Sequence, residues 1–208
     1  MRVMCLPIGC LVLVSFLSPA TAPATATVAV GDPVTAERVV TEQGVAAGVT
    51  RGEVISYLGI EYARAERWEA PGLGPKWEGE RLFDHYGAIA PQSAEGSPPE
   101  DCLFLNVWAP ERRDRDVELP VLVWIHGGGF RGGSGALRPE PIVKQGVIVV
   151  SFNYRLGKLG FFDHASWDAS QPRNFGMLDM VAALGWVHRN IAAFGGDPER
   201  VTIAGHSA

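Results

Sequence analysis

Three short runs in this chain are apolar almost without interruption: Leu119–Ile125, Gly146–Phe152 and Val201–Ala204. A strand with one face in water alternates apolar and polar residues, so unbroken runs of this length mark strands covered on both faces. Ahead of the third lies the one long helical segment, Gly176–Phe194. There Leu178, Val181, Ala182, Gly185, Ile191 and Ala192 recur at three- and four-residue spacing, and the small residues predict a helix lying close to a sheet. Gly195-Gly196 stops the helix and Asp197-Pro198 turns the chain. A short helix is predicted over Pro139–Gln145, with Gly146 at its C-terminal end. Strand, crossover, strand, helix, strand predicts an α/β fold with a mainly parallel central sheet covered by helices.

Upstream the pattern changes. Arg38–Thr41, Val45–Thr50 and Glu53–Gly59 have strand character and are separated by Gln43-Gly44 and Arg51-Gly52. The second pair fits a tight hairpin loop in which glycine supplies the positive φ. These runs predict a small antiparallel sheet at the N-terminal end. Residues 61–100 are loop-rich, with Pro71, Gly72, Gly74, Pro75, Pro91, Pro98 and Pro99, and their aromatics predict packing rather than disorder. Leu103–Ala109 reads as a strand ended by Pro110, and Glu111–Asp116 as a solvated hairpin tip.

The N-terminus reads as an export signal. Arg2 is a minimal positive region, Cys10–Leu17 an apolar stretch too short to span a bilayer, and Ala24-Thr25-Ala26 a small-x-small cleavage pattern. Cleavage after Ala26 would leave residues 27–208 as part of a single domain, secreted or periplasmic, with no membrane span. The alternative is an uncleaved anchor. The signal removes Cys5 and Cys10, so Cys102 is either buried and inert or paired with a cysteine outside this chain. Its neighbours Leu103-Phe104-Leu105 favour burial. A net charge of −5 and the lack of a basic face exclude nucleic acid as a partner. No spacing of His, Cys, Asp or Glu predicts a metal site, and no cofactor is implied. The oligomeric state is not legible.

Two stretches carry chemistry. Val201–Ala204 runs into Gly205-His206-Ser207-Ala208, which one further glycine would complete as Gly-x-Ser-x-Gly after a strand, the elbow that presents a serine nucleophile. The expectation is therefore a nucleophile at Ser207 on a chain cut at its own motif. Directly after Ile125 stands His126-Gly127-Gly128-Gly129-Phe130. Glycines there leave main-chain N–H groups able to meet the oxygen that becomes negative in a tetrahedral intermediate. A flexible glycine-rich turn is the alternative reading of the second stretch, and a serine in a turn that of the first. His206 adjoins Ser207, but neighbouring side chains in such a turn diverge, so it is not read as the base. His85, His164 and His188 read as loop or surface residues.

The chain resembles the type B carboxylesterases, the family of carboxylesterases, cholinesterases and bacterial p-nitrobenzyl esterases. The resemblance is carried by Thr41–Gly44, Tyr57–Ala63, Glu100–Val107, His126–Phe130, Asn153–Gly157 and the block Asn174–Ala208 with its Phe194-Gly195-Gly196-Asp197-Pro198. It implies an α/β-hydrolase fold and hydrolysis of small-molecule carboxylic esters through an acyl-enzyme. It casts Ser207 as nucleophile and the N–H groups of Gly128, Gly129 and Ala208 as oxyanion donors. Gly205 would relieve a clash at the elbow and His126 would position the glycine loop. The catalytic acid and histidine would lie further along than Ala208. The resemblance further implies ion pairs Arg155–Asp179 and Arg67–Glu100. Three features depart from the family. Ala90 stands before Pro91-Gln92 where a cysteine often pairs with the equivalent of Cys102, so Cys102 is expected to be a free thiol. His206 replaces a usual glutamate, and Ala63–Trp77 is shortened. The competing function is a non-catalytic binding or adhesion member of the same fold.

Overall fold

The structure is a computed structural model that describes residues 36–92, 99–114, 116–168, 170 and 172–208. The signal sequence expected over residues 1–26 lies outside them.

In chain order the strands and helices are β1 Ala36–Val40, β2 Val45–Arg51, β3 Val54–Glu61, β4 Ala63–Arg64, β5 Gly72–Leu73, β6 Glu80–Leu82, β7 Phe104–Pro110, β8 Leu119–Ile125, α1 Glu140–Val143, β9 Ile148–Phe152, α2 Gly157–Phe161, α3 Phe175–Asn190, a 3-10 turn Ile191–Phe194, and β10 Gly196–Gly205. The main sheet runs β1-β2-β3-β7-β9-β8-β10, with β6 beside β2. It is mixed. β1, β2, β3, β7 and β9 pair antiparallel in succession, and β9-β8-β10 are parallel. The N-terminal antiparallel strands are continuous with the central sheet through β3–β7. A second, two-stranded antiparallel sheet joins β4 to β5.

The expected hairpin over Glu111–Asp116 is not formed, because β9 inserts between β7 and β8. Nor is that loop simply solvated. The Arg113 side chain is buried, donating to the Pro110 carbonyl at 2.7 Å and the Glu37 carboxylate at 2.5 Å.

The apolar runs explain the two covered faces. Ile148, Val150 and Phe152 of β9, and Leu105 and Val107 of β7, face the main core with Tyr57, Trp186 and Phe194. The alternate positions, Val149 and Trp108, face a second cluster with Val54, Leu58 and the α1 residue Val143. Burying each such side chain stabilises the fold by about 1.5–3 kcal/mol.

The buried face of α3 differs from the expected one. Phe175, Asp179, Met180, Ala183, Trp186, Val187 and Asn190 are buried, whereas Val181 is 63% exposed. Two polar residues, Asp179 and Asn190, lie on the buried stripe and break its apolar periodicity. Leu178, Val181, Ala182 and Gly185 instead line a surface groove with Pro71 and Leu73. Ile191 is buried as read, and Gly195 ends the 3-10 turn at φ 87°.

Thr41–Gly44 ties the N-terminal arm to α3. Gln43 accepts a bond from the Trp186 indole N–H at 2.7 Å and donates to the carbonyls of Glu61 and Pro75. The Glu42 carboxylate accepts from Arg189 and Asn190. Cys102 is a free thiol, fully buried in the same core as Ala90. Burial pushes its pKa up to about 12, which keeps it a neutral thiol. Among the described residues no helix is long and apolar enough to cross a membrane.

Candidate active site

β8 and β10 run parallel with Gly205 opposite Ile125, so the loops that follow them emerge side by side. After β10 the chain bends at Ser207, which has φ 61°, one of few non-glycine residues here in the left-handed region. A side chain in that region is held at a cost of order 1–3 kcal/mol, and such strain concentrates at functional positions. Ser207 is exposed and lines a cavity of about 330 Å³ with His126, Phe130, Tyr154, Met177 and Met180.

The glycine loop lies directly on this bend. A Cβ added at Gly127 would stand 2.1 Å from the His206 carbonyl oxygen and 3.0 Å from Ser207 Cβ. One at Gly128, φ 130°, would run into the Gly132 carbonyl at 2.0 Å. Gly127 thus permits the approach of loop to elbow, and Gly128 permits the turn itself, in which Arg131 and Gly132 donate N–H bonds back to the Gly128 carbonyl. Gly129 has φ 60° and open space beside it, and its N–H donates to the Ala208 carbonyl. Gly205 is also close to β8: a Cβ there would lie 3.0 Å from the Ile125 carbonyl.

His126 is buried beneath this loop. Its ring stacks on Tyr154 at 4.4 Å and 16°. Nδ1 meets the Gly127 carbonyl at 2.9 Å and must carry the proton, since a carbonyl only accepts. The Tyr154 hydroxyl donates to the His126 carbonyl at 2.8 Å. Burial lowers the His126 pKa, which favours the neutral ring, and Nε2 is left buried without a hydrogen-bond partner among the described residues.

Arg155 follows β9 and reaches Asp179 of α3. Its Nε and terminal nitrogen donate to the two carboxylate oxygens at 2.9 and 2.7 Å, and its backbone N–H donates at 3.0 Å. Both side chains are buried. Gly160 and Gly176 make room for this junction: a Cβ at either would meet the Arg155 carbonyl, at 2.0 and 2.7 Å. Arg67 and Glu100 also pair, at the surface.

Other residues at the site escaped the sequence reading. Gln92 clamps Gly133, donating to its carbonyl at 3.0 Å and accepting its N–H at 2.9 Å. Gly135 is fixed by Asn153 at 2.8 Å, by Asn106 at 3.2 Å and by the Ser151 hydroxyl. Asn106 and Ser151 are polar residues inside otherwise apolar strands, and that interruption is the signal that could have found them.

The remaining histidines stand elsewhere. His85 bonds Asp84, His164 bonds Ser166, and His188 is exposed on α3. Among the described residues no group of three His, Cys, Asp or Glu could hold a metal ion.

Comparison with known proteins places these features in a family. Residues 35–208 match the Carboxylesterase family. Fumonisin B1 esterase of Sphingopyxis macrogoltabida is 40% identical over 186 residues, covering 81% of this chain and 34% of that protein. Para-nitrobenzyl esterase of Bacillus subtilis (strain 168) is 41% identical over 190 residues, covering 82% and 38%. A solved PNB esterase superposes with a TM-score of 0.76 at 42% identity, covering 83% of this chain and 38% of that one. The chain thus spans well under half the length of the relatives it matches.

Proposed function

The chain belongs to the carboxylesterase family and has the α/β-hydrolase fold of its relatives, and from that premise we propose that it supplies the nucleophile and oxyanion donors of an exported, serine-dependent carboxylic ester hydrolase. The observation that carries this reading is the strained Ser207, φ 61°, with a glycine loop packed on it so closely that Gly127 tolerates no Cβ.

In the mechanism Ser207 Oγ attacks the ester carbonyl carbon while its proton passes to a histidine base. The carbonyl oxygen gains the charge and is met by the N–H groups of Gly128, Gly129 and Ala208. Collapse expels the alcohol and leaves an acyl-enzyme, which water hydrolyses to the acid. Losing one oxyanion donor costs about 2.7–4 kcal/mol of transition-state stabilisation in enzymes of this type. His126 supports the loop and does not act as base, because its protonated nitrogen is committed to Gly127 and its ring is buried against Tyr154. With the other histidines remote or exposed, this reading assigns the base and its acidic partner to residues outside this chain, and the chain to one part of a single domain.

The test is hydrolysis of p-nitrophenyl acetate. The 208-residue chain alone is expected to be no faster than its Ser207→Ala form. A full-length enzyme containing it is expected to be active and to fall to background on Ser207→Ala. Activity that survives Ser207→Ala in the full-length enzyme would overturn the assignment.

A further inference from the structure

A second cavity, of about 930 Å³, opens on the far side of Phe130 from Ser207. Phe130 lines both cavities, and Gly129, one of the proposed oxyanion donors, lines the larger one. An ester whose carbonyl sits at Gly129 therefore has one arm at the mouth of this space. The walls are apolar: Leu156, Leu159, Phe161 and Phe162 stand with Phe130.

The charged lining is one-sided. Arg131 and Lys158 belong to it, and among the described residues no lining residue is a carboxylate, in a chain of net charge −5. Several arginines elsewhere are committed, Arg38 to Glu80, Arg155 to Asp179, Arg173 to Asp163, Arg189 to Glu42 and Arg200 to Asp197, while Arg51, Arg81 and Arg138 have no ion pair among the described residues. Asp163, adjacent in sequence to the lining residue Phe162, is thus already held by Arg173. Arg131 and Lys158 have neither an ion pair nor a side-chain hydrogen bond among the described residues. Their backbones are nonetheless fixed. The Arg131 N–H donates to Gly128 at 3.1 Å, and the Lys158 carbonyl accepts the Trp68 indole N–H at 3.0 Å. Two exposed cations on fixed backbone beside an apolar wall match a ligand with an apolar body and an anionic end, because the carboxylate finds partners while the body leaves water.

We infer that the cavity beside Gly129 receives the arm of an ester that carries its own carboxylate at the end of an apolar segment, with Arg131 and Lys158 as its partners. The inference rests on the esterase reading above and names its substrate class.

Two measurements separate the claims. In the full-length enzyme, mono-4-nitrophenyl adipate is compared with 4-nitrophenyl hexanoate, and 4-carboxyphenyl hexanoate with 4-carbamoylphenyl hexanoate, so that the charge lies on the acyl arm or the alcohol arm. For one of the two pairs, Arg131→Gln/Lys158→Gln is expected to lower the charged-to-neutral ratio of kcat/KM by about tenfold, through KM, as two solvent-accessible ion pairs allow. Added salt should erode the same preference. Independently of catalysis, ligand-detected NMR on the 208-residue chain should show 6-phenylhexanoate binding and 6-phenylhexanamide not, with binding lost in the double variant. Unchanged ratios in both pairs, or equal binding of acid and amide, overturn the inference while leaving the esterase reading intact. Selective carboxylate binding with no hydrolysis of any ester would sustain the anion site and sink the esterase reading.

Discussion

At the scale of single residues, the glycines of the loop and the serine of the elbow were legible because their chemistry is local. Gly128 needs a positive φ and Ser207 closes a motif, so both announce themselves by identity and position. The contact of Gly205 with Ile125 was not legible, since that neighbour is eighty residues away in the chain and arrives only through β-pairing. His126 shows the same limit: the sequence placed it at the loop, while its stacking on Tyr154 and its buried Nε2 are tertiary facts. That burial has a pH consequence. The folded-state pKa of His126 is depressed below its ordinary 6.5, so the unfolded chain takes up a proton that the native chain refuses. The contribution is present above that ordinary value and is lost as pH falls below it. Urea unfolding between pH 7.5 and 5 should show stability declining with a slope approaching about 1.4 kcal/mol per pH unit from this residue. His126→Asn should flatten that part of the profile, and an unchanged slope would remove His126 as its source.

At the scale of elements, the apolar runs marked the strands β8, β9 and β10, but β10 is not covered on both faces as expected, with Thr202 exposed and Ile203 55% exposed, and the packing face of α3 was misjudged. The cause is the Arg155–Asp179 pair, which seats a carboxylate on the buried stripe where a periodicity argument looks for apolar residues. The pair joins the segment after β9 to α3 and so holds the wall of the Ser207 cavity that contains Met177 and Met180. Removing one partner strands the other charge in the core. Arg155→Met and Asp179→Leu are each expected to cost about 3–5 kcal/mol, whereas the double variant should recover much of the loss, because an apolar pair needs no compensation. Chemical denaturation of the four proteins measures the coupling, and additive single effects would show that the two side chains do not act as a unit. The insertion of β9 between β7 and β8 was likewise illegible, because chain order says nothing of sheet order when a crossover intervenes.

At the scale of the whole molecule, the fold class followed from alternating buried strands and a helix, and the antiparallel arm from its hairpin signals. The fusion of that arm to the central sheet was not legible, since it depends on the β3–β7 pairing and the bulge at Gly59. Over the described residues 61–92 of the loop-rich span, the aromatics pack in part: Phe83 is buried, Trp77 lies 5.3 Å from it with its indole bonded to Val45, and Trp68 and Tyr86 remain exposed. The proposed export rests on residues 1–26 alone. N-terminal sequencing of the protein recovered outside the cytoplasm is expected to begin at Thr27, and a protein retaining Met1 would refute cleavage after Ala26.

The backbone of Ser207 sets evolution a local conflict. At φ 61° glycine is the residue that rests without strain, so the position that needs a hydroxyl is one where folding alone would select against it. Ser207→Gly should therefore melt above the parent, by roughly 2–4 °C for a relief of about 1 kcal/mol, while losing its chemistry. A lineage released from selection for activity would be expected to drift toward glycine here. On the proposed function, a serine held at this torsion is one retained for its hydroxyl, and a melting temperature that fails to rise in Ser207→Gly would show that the conflict is absent.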